Sequence, residues 1–387
     1  MASPTNPTAS DAPGGAVSKT TISVAGLDLD IFGLSELSAE TSYVSCLWLH
    51  HGRGRRKEDM ADVAEIMVSG YLNQQRQHHG GGGSQRGLIA IAFDQRNHGT
   101  RMTSKLANRT WRSGNSTHAQ DMFSQVTGTV VDTMHLMDVL EGYLWLEHHH
   151  HHHQDEEKKE QQSKTIDQHL VLGVSMGGHC AWQLLFEDPR FDAGVVVIGC
   201  PDYMRLMTNR ATSSKLPSTT LSSSSSFIGS SHFPPALVNA AKRWDPKARI
   251  FGTEPVPAAA GSQHSSSSSS SHHTRAALDR TAIRGKKIQV LSGGKDNLVP
   301  YAAGEAFLNW FKGVSAAWYG GGSGEEGDGN VVSIEDNLYP EAGHEFSEEM
   351  KRDAVRFVVD VVASRDGEAP GGRKPEQRQQ RRASPKI

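Results

Sequence analysis

Ser175 lies in the segment Gly173–Gly178, Gly-Val-Ser-Met-Gly-Gly, where a strongly apolar run gives way to a helix-forming one. A serine at a sharp turn from strand to helix projects its hydroxyl above the sheet edge, and the residues two before and two after it must lack bulk. Gly173 and Gly177 meet that demand, and the Gly-x-Ser-x-Gly pattern occurs once in the chain. We therefore predict that Ser175 is a nucleophile for acyl transfer. The competing interpretation is a glycine-rich turn with an incidental serine.

A carboxylate and a histidine follow Ser175 along the chain, in the order Ser, Asp, His. Asp296 lies in a glycine-supported loop just after the apolar run Ile288–Leu291, and His344 precedes the last helix-forming stretch. A histidine can take the serine proton through one ring nitrogen while an aspartate accepts a hydrogen bond from the other. The sequence thus predicts a Ser-His-Asp triad. Asp202 is the rival acid, and both Asp296 and His344 can also be read as ordinary loop residues.

Acyl transfer also requires two fixed N–H donors for the oxyanion that forms. One predicted donor is the backbone of Met176, at the start of a helix whose dipole favours negative charge. The second is the backbone N–H of Arg53, or alternatively that of Gly52, in the turn His51–Gly54 after an apolar strand; a plain turn is the competing interpretation. A rival His-Gly-Gly-Gly match at His79–Gly82 lies in a low-complexity tract, so we expect it to be a flexible loop.

Short apolar runs alternate with longer stretches of helical periodicity, an order typical of a parallel sheet wrapped by helices. An entry hairpin is predicted over Thr20–Ile31. Core strands are predicted at Tyr43–Leu49, Leu88–Phe93, His169–Val174, Ala193–Ile198 and Ile288–Leu291, with a last strand near Val331–Ile334. Helices are predicted at Glu58–Leu72, Ala119–Leu146, Gly177–Phe186, Ala302–Phe311 and Ser347–Ala363.

Polar and low-complexity segments surround and interrupt this pattern. We expect residues 1–18 and 365–387 to be disordered, and residues 19–364 to form one catalytic domain with a Ser-rich cap insertion at 203–284. Tracts predicted to be insertions in surface loops are His78–Ser84, His148–His153, Ser213–Ser231 with Ser262–His273, and Gly320–Gly329. The six consecutive histidines lack the Cys or carboxylate spacing of a metal site, so incidental low complexity is favoured and no cofactor is expected.

Composition limits the possible partners. The net charge of −3, with no basic stripe, argues against nucleic acid binding and leaves a small neutral or mixed substrate as open as a polymer. The expectation of a small-molecule acyl substrate comes from the predicted triad. The three cysteines lie in apolar stretches, which suits a reducing compartment. With no signal-like or membrane-length apolar segment, we expect a cytoplasmic protein with no membrane span; its oligomeric state stays open.

The elbow, the triad order and the oxyanion turn together resemble the α/β-hydrolase superfamily, over about Thr20–Ala363. Asp94–Gly99, Asp-Gln-Arg-Asn-His-Gly, is similar to a superfamily loop that supports the core and borders the site, so the resemblance implies no catalytic role for His98. It also implies a cap where residues 202–284 lie. The homopolymer tracts resemble those of some fungal or other eukaryotic proteins.

Three functions follow as hypotheses. The first is a serine hydrolase acting on a small carboxylic ester, thioester or related acyl substrate. The second is a serine peptidase or amidase on the same fold, and the third is a non-catalytic binding protein that keeps the fold. A basic cluster, Arg53, Arg55, Arg56 and Lys57, borders the oxyanion turn; it indicates either an acidic substrate or a solvated face.

Overall fold

The computed structural model describes residues 17–79, 85–145, 164–216, 227–257, 269–319 and 331–366. The predicted disordered termini, the six histidines at 148–153 and the glycine tract at 320–329 lie wholly or almost wholly outside these residues. The rival motif at His79–Gly82 also lies outside them, except that His79 is the last residue of a helix.

Eight strands form one sheet in the order β1-β2-β4-β3-β5-β6-β7-β8. The β1–β2 and β2–β4 pairs are antiparallel, and all the others are parallel. The strands are β1 (Lys19–Val24), β2 (Leu27–Phe32), β3 (Tyr43–His50), β4 (Arg86–Phe93), β5 (Thr165–Val174), β6 (Phe191–Val197), β7 (Lys287–Gly293) and β8 (Ser333–Tyr339).

Nine α-helices are described, and a 3₁₀ turn over Lys57–Met60 leads into the first. They are α1 (Ala61–His79), α2 (His118–Leu144), α3 (Met176–Glu187), α4 (Tyr203–Ser213), α5 (Pro235–Trp244), α6 (Pro246–Phe251), α7 (Ser269–Asp279), α8 (Tyr301–Tyr319) and α9 (Glu348–Asp366). None of these described helices combines the length and the apolar character that crossing a bilayer requires.

Both faces of the sheet are covered by helices, so its central strands are apolar on both sides. Along β3, Cys46 and Trp48 face the layer of α2, α3 and α8, while Leu47 and Leu49 face the layer of α1 and α9. All four side chains are fully buried. Near-continuous apolar runs of this kind are typical of parallel strands in α/β proteins, and the fold confirms the predicted architecture.

The strand order places a crevice where the sequence predicts a site. The chain moves from β3 to β4 on one side and from β5 through β8 on the other, so the direction of winding reverses between β3 and β5. Open α/β sheets bind ligands outside the carboxyl ends of strands at such a switch point. In the β3–β5 register His50 pairs with Gly173, which brings the turn after β3 level with the turn after β5.

Two parts of the predicted pattern differ from the structure. The last strand, β8, lies at 333–339 instead of near 331–334, because as an edge strand it carries few apolar residues. The serine tracts are not loop insertions throughout. α7 begins at Ser269 inside one of them, and Phe227 in the other is fully buried in the aromatic core.

Candidate active site

Ser175 lies on the turn between β5 and α3, in a backbone conformation that an L-residue rarely adopts. Its φ is 56° and its ψ is −111°. Its backbone N–H donates to the carbonyl of Val197 on the neighbouring strand β6 at 2.9 Å. Strain of this kind persists only where surrounding structure over-determines it, and it presents the hydroxyl above the end of the sheet.

The flanking glycines are required by close backbone approaches. A Cβ atom at position 173 would lie 1.9 Å from the Gly177 carbonyl oxygen, and one at position 177 would lie 2.0 Å from the His50 carbonyl oxygen. Both distances are far below van der Waals contact. The two glycines of the Gly-x-Ser-x-Gly pattern are therefore required because β3, β5 and α3 pack too closely there for any side chain.

Ser175, His344 and Asp296 form a continuous hydrogen-bonded chain. Ser175 Oγ lies 2.8 Å from His344 Nε2, and His344 Nδ1 lies 2.7 Å from Asp296 Oδ2. The Asp296 side chain is fully buried, whereas that of His344 is 23% exposed. An ionised carboxylate only accepts hydrogen bonds, so the proton resides on Nδ1 and Nε2 is free to accept the serine proton.

Backbone contacts between the two loops hold Asp296 against His344. The N–H of Gly294 donates to the Tyr339 carbonyl at 2.8 Å, and that of Lys295 donates to the Ala342 carbonyl at 2.9 Å. The loop after β7 is thereby tied to the loop after β8. These contacts explain how residues 48 positions apart meet.

The electrostatics of Asp296 favour the charged form. Burial acts to raise its pKa, but hydrogen bonds from His344 and from the backbone N–H groups of Val299 and Leu298 outweigh burial and hold the pKa below its usual value. Those two amides donate to Oδ1 at 2.9 and 2.8 Å. The carboxylate is thus ionised at neutral pH and can stabilise an imidazolium on His344.

The rival acid, Asp202, has a structural role. Its Oδ1 accepts the backbone N–H of Arg205 at 3.0 Å and so caps the start of α4. It is buried, and burial raises its pKa. The acid in contact with His344 is Asp296, not Asp202.

The predicted oxyanion donors flank Ser175. Met176 is the first residue of α3, so its N–H has no acceptor within the helix. A Cβ atom at Gly52 would lie 3.6 Å from Ser175 Cβ, so the turn after β3 packs directly against the serine. The N–H of Arg55 donates to the Gly52 carbonyl at 3.2 Å, which closes the turn that carries Arg53.

Asp94, after β4, anchors the segment behind this turn. Its Oδ1 accepts the N–H of Lys57 at 2.9 Å, and its Oδ2 accepts both the N–H and the hydroxyl of Thr100 at 2.8 and 2.9 Å. His98 is buried, and its Nδ1 contacts the Arg96 carbonyl at 2.9 Å. The loop therefore supports the oxyanion turn, and His98 makes no described contact with the triad.

The predicted basic cluster does not act as one surface. Lys57 is buried and pairs with Asp30, with Nζ and Oδ1 2.5 Å apart. Arg55 and Arg56 are exposed. Arg53 is half-buried, and its Nη1 donates to the Asn108 carbonyl.

Sequence reasoning missed three residues near the site. They are Gln95, which contacts the oxyanion turn, Arg210 on α4, and His118 at the start of α2. Gln95 stands in the motif-like segment Asp94–Gly99, which was a usable signal. Arg210 and His118 carry no local signal, because only tertiary packing brings them here.

No protein-family model matches the chain, and no curated protein matches it. Among solved structures, TT1662 from Thermus thermophilus is similar, with a TM-score of 0.50 and 16% identity over 92% of this chain and 99% of that one. The Pyrococcus furiosus esterase Pf2001 has a TM-score of 0.39 and 14% identity over 88% of this chain and 91% of that one. The Pyrococcus horikoshii acylaminoacyl peptidase has a TM-score of 0.46 and 10% identity over 94% of this chain and 44% of that one. The chain has the α/β-hydrolase fold.

Proposed function

We propose that this protein is a serine hydrolase that cleaves a small carboxylic ester, thioester or related acyl compound through an acyl-enzyme. The observation that carries the proposal is the hydrogen-bonded chain from Ser175 through His344 to Asp296. It supplies a nucleophile, a base within proton-transfer distance and a buried carboxylate that orients the base.

In the first half-reaction, Ser175 Oγ attacks the carbonyl carbon while its proton passes to His344 Nε2. The carbonyl π electrons move onto oxygen, giving a tetrahedral oxyanion. When the oxyanion collapses, the bond to the leaving group breaks, and His344 returns its proton to the departing oxygen or sulfur. The product of this half-reaction is an ester between Ser175 and the acyl group.

In the second half-reaction, water replaces the alcohol or thiol. His344 takes a proton from the water molecule as the water oxygen attacks the carbonyl carbon of the acyl-enzyme. The second tetrahedral intermediate then collapses, and His344 returns that proton to Ser175 Oγ. The net reaction consumes one water and releases a carboxylic acid. Asp296 stays ionised and stabilises the imidazolium in both halves.

The two oxyanion donors in this proposal are the backbone N–H groups of Met176 and Arg53, with Gly52 the alternative to Arg53. What supports them is the position of Met176 at the helix start and the packing of Gly52 against Ser175. Loss of one such donor typically costs on the order of 10²–10³ in rate.

The test is turnover of a panel of 4-nitrophenyl esters, matched thioesters and aminoacyl amides. The wild-type protein should hydrolyse at least one ester or thioester faster than the matched amide, and Ser175→Ala should reduce turnover by roughly 10⁶. Ser124, exposed on α2, provides the control, since Ser124→Ala should keep full activity. Faster cleavage of amides would favour a peptidase, and absence of Ser175-dependent turnover would favour the binding protein.

A further inference from the structure

Two arginines reach the candidate active site from different elements. Arg53 follows Gly52 in the oxyanion turn, and its Nη1 donates to the Asn108 carbonyl at 3.0 Å. Arg210, on α4, donates from Nε and Nη2 to the Leu298 carbonyl at 3.2 and 2.9 Å. Leu298 in turn donates its N–H to Asp296 Oδ1, so the Arg210 guanidinium lies on the loop that carries the triad acid.

Among the described residues, neither arginine forms an ion pair with a carboxylate. In the part of the chain that the structure describes, no ion pair includes Arg53 or Arg210; their described hydrogen bonds go to backbone carbonyls and, from Arg210 Nη1, to Met122 Sδ at 3.2 Å. Asp296 is close enough to act on Arg210, but it already accepts hydrogen bonds from His344 and two amides. Residues 217–226 and 258–268, which complete the segment between β6 and β7, contain no Asp or Glu.

The two cations are also partly withdrawn from water. Both side chains are half-buried. Burial first, and then the Arg53 charge, lower the pKa of Arg210 to about 10, and burial lowers the pKa of Arg53. Holding two like charges together in a partly desolvated place is unfavourable unless an anion joins them.

A buried histidine lies beside them. His118 is 1% exposed, and the hydrogen-bond partner described for its ring is the Arg109 backbone carbonyl. Burial, and then the charges of Arg53 and Arg210, lower its pKa to about 3 against an opposing effect of the Arg109 carbonyl. The neutral ring therefore adds no third positive charge beside the two arginines.

We infer that Arg53 and Arg210 bind an anionic group of the substrate, so that the protein prefers esters or thioesters carrying a carboxylate or a similar oxyanion. This inference rests on the proposed hydrolase function. Guanidinium groups suit oxyanions because their planar donors match carboxylate and phosphate geometry. The Arg210 contact would also join the substrate to α4.

The experiment compares kcat/KM for two matched pairs of substrates. Mono-4-nitrophenyl adipate against 4-nitrophenyl hexanoate places the anion on the acyl side. The hexanoyl ester of 4-hydroxybenzoate against that of methyl 4-hydroxybenzoate places it on the leaving group. Charge-assisted hydrogen bonds to one anion predict a preference of about tenfold to a hundredfold for the anionic member of one pair. That preference should shrink as ionic strength rises.

Arg53→Gln and Arg210→Gln should each reduce the preference by about tenfold or more, mainly by slowing the anionic ester. Arg210→Lys should retain part of it, because the charge remains. Arg56→Gln is the matched control, since it removes an exposed charge three residues after Arg53 and should leave the preference unchanged. The ratio of kcat/KM for the two esters of a pair is unaffected by a general loss of fold or of oxyanion stabilisation, because such a loss slows both esters equally.

Equal rates within both pairs, or a preference that survives both glutamine substitutions, would overturn the inference while leaving the hydrolase function intact. Absence of Ser175-dependent turnover for all four esters would contradict the proposed function and, with it, the preference that rests on it.

Discussion

The backbone N–H of Gln95 donates a hydrogen bond to His51 Nε2 at 3.1 Å, and the Gln95 side-chain amide donates to the His51 carbonyl. Burial lowers the pKa of His51 to about 4, so the neutral ring accepts this bond at Nε2 and donates from Nδ1 to the Gly52 carbonyl, 2.8 Å away. Cys180 on α3 contacts Gln95 Oε1 at 3.4 Å. Gln95 therefore joins the oxyanion turn to the helix that follows the nucleophile.

Replacing Gln95 with leucine should lower kcat more than it changes KM, because the oxyanion donors lose their support. A displacement of about 1 Å in such a group can cost up to about 10²-fold. Steady-state kinetics together with thermal unfolding would separate this effect from loss of fold. Gln183 on α3 is also buried, and its Oε1 has no described partner, so Gln183→Leu should keep the rate.

Asp296→Asn should lower kcat by roughly 10⁴-fold while leaving the fold intact. The amide still fits the space and still accepts from Leu298 and Val299, but its neutral group no longer stabilises an imidazolium on His344. Asp202→Asn is the comparison, because asparagine also caps a helix and should retain turnover. Equal losses in the two variants would contradict the assignment of Asp296 as the triad acid.

The steric account of the elbow predicts opposite effects of alanine at two glycines. Gly173→Ala should destabilise the fold by about 3 kcal/mol or more, because the added Cβ would lie 1.9 Å from a backbone oxygen. At Gly142 in α2 a Cβ meets nothing within 4 Å, and Gly142→Ala should stabilise by about 0.5–1 kcal/mol. Denaturant unfolding of both proteins measures the difference, and similar midpoints would show that the approach is not tight.

Stability should fall steeply in mild acid because several histidines are buried. Burial lowers the pKa values of five of them from 6.5 to about 3 or about 4, so below about pH 6.5 the unfolded chain binds protons that the folded protein does not. The free energy of unfolding should therefore decrease as the pH falls from about 6.5 to about 4, by on the order of 1 kcal/mol per pH unit for each histidine. These histidines are His50, His51, His118, His169 and His179.

A matched pair of variants tests the origin of this acid sensitivity. His118→Phe retains an aromatic ring against Trp111, at 4.9 Å between centroids, and should make the pH dependence shallower by about one proton. His135 is exposed on α2, so His135→Gln should leave the slope unchanged. An unchanged slope in His118→Phe would mean that this histidine takes up its proton in the folded state.

The sheet was accessible to prediction because its strands are buried on both faces. Predicted strand ends such as Tyr43 and Phe93 coincide with those of β3 and β4, since continuous apolar runs end where the chain leaves the core. The position of β8 was predicted wrongly because Ser333–Tyr339 contains few apolar residues, so the sequence shows no clear apolar run there. Helices α4–α7 were not predicted, because they are short and stand beside serine tracts that carry no helical periodicity.

Some residues of the candidate site could be identified from local sequence motifs, whereas others could be identified only from the three-dimensional packing. Ser175, Asp296 and His344 each lie in a loop whose neighbouring residues are typical of a serine hydrolase site. The sequence alone was therefore enough to select them as candidates. Gln95 and Arg210 act on the site through contacts over long sequence separations, such as the 88 residues between Arg210 and Leu298. Only tertiary packing brings such residues into place: Gln95 against the turn after β3, and Arg210 on α4 against the loop after β7.

The most direct test of the central claim is covalent labelling of the folded protein with a fluorophosphonate, followed by mass spectrometry of its peptides. The account predicts stoichiometric phosphonylation of Ser175, none in Ser175→Ala, and much slower labelling in an otherwise folded His344→Gln. Labelling that persists in Ser175→Ala, or a folded wild-type protein that does not react at all, would contradict it.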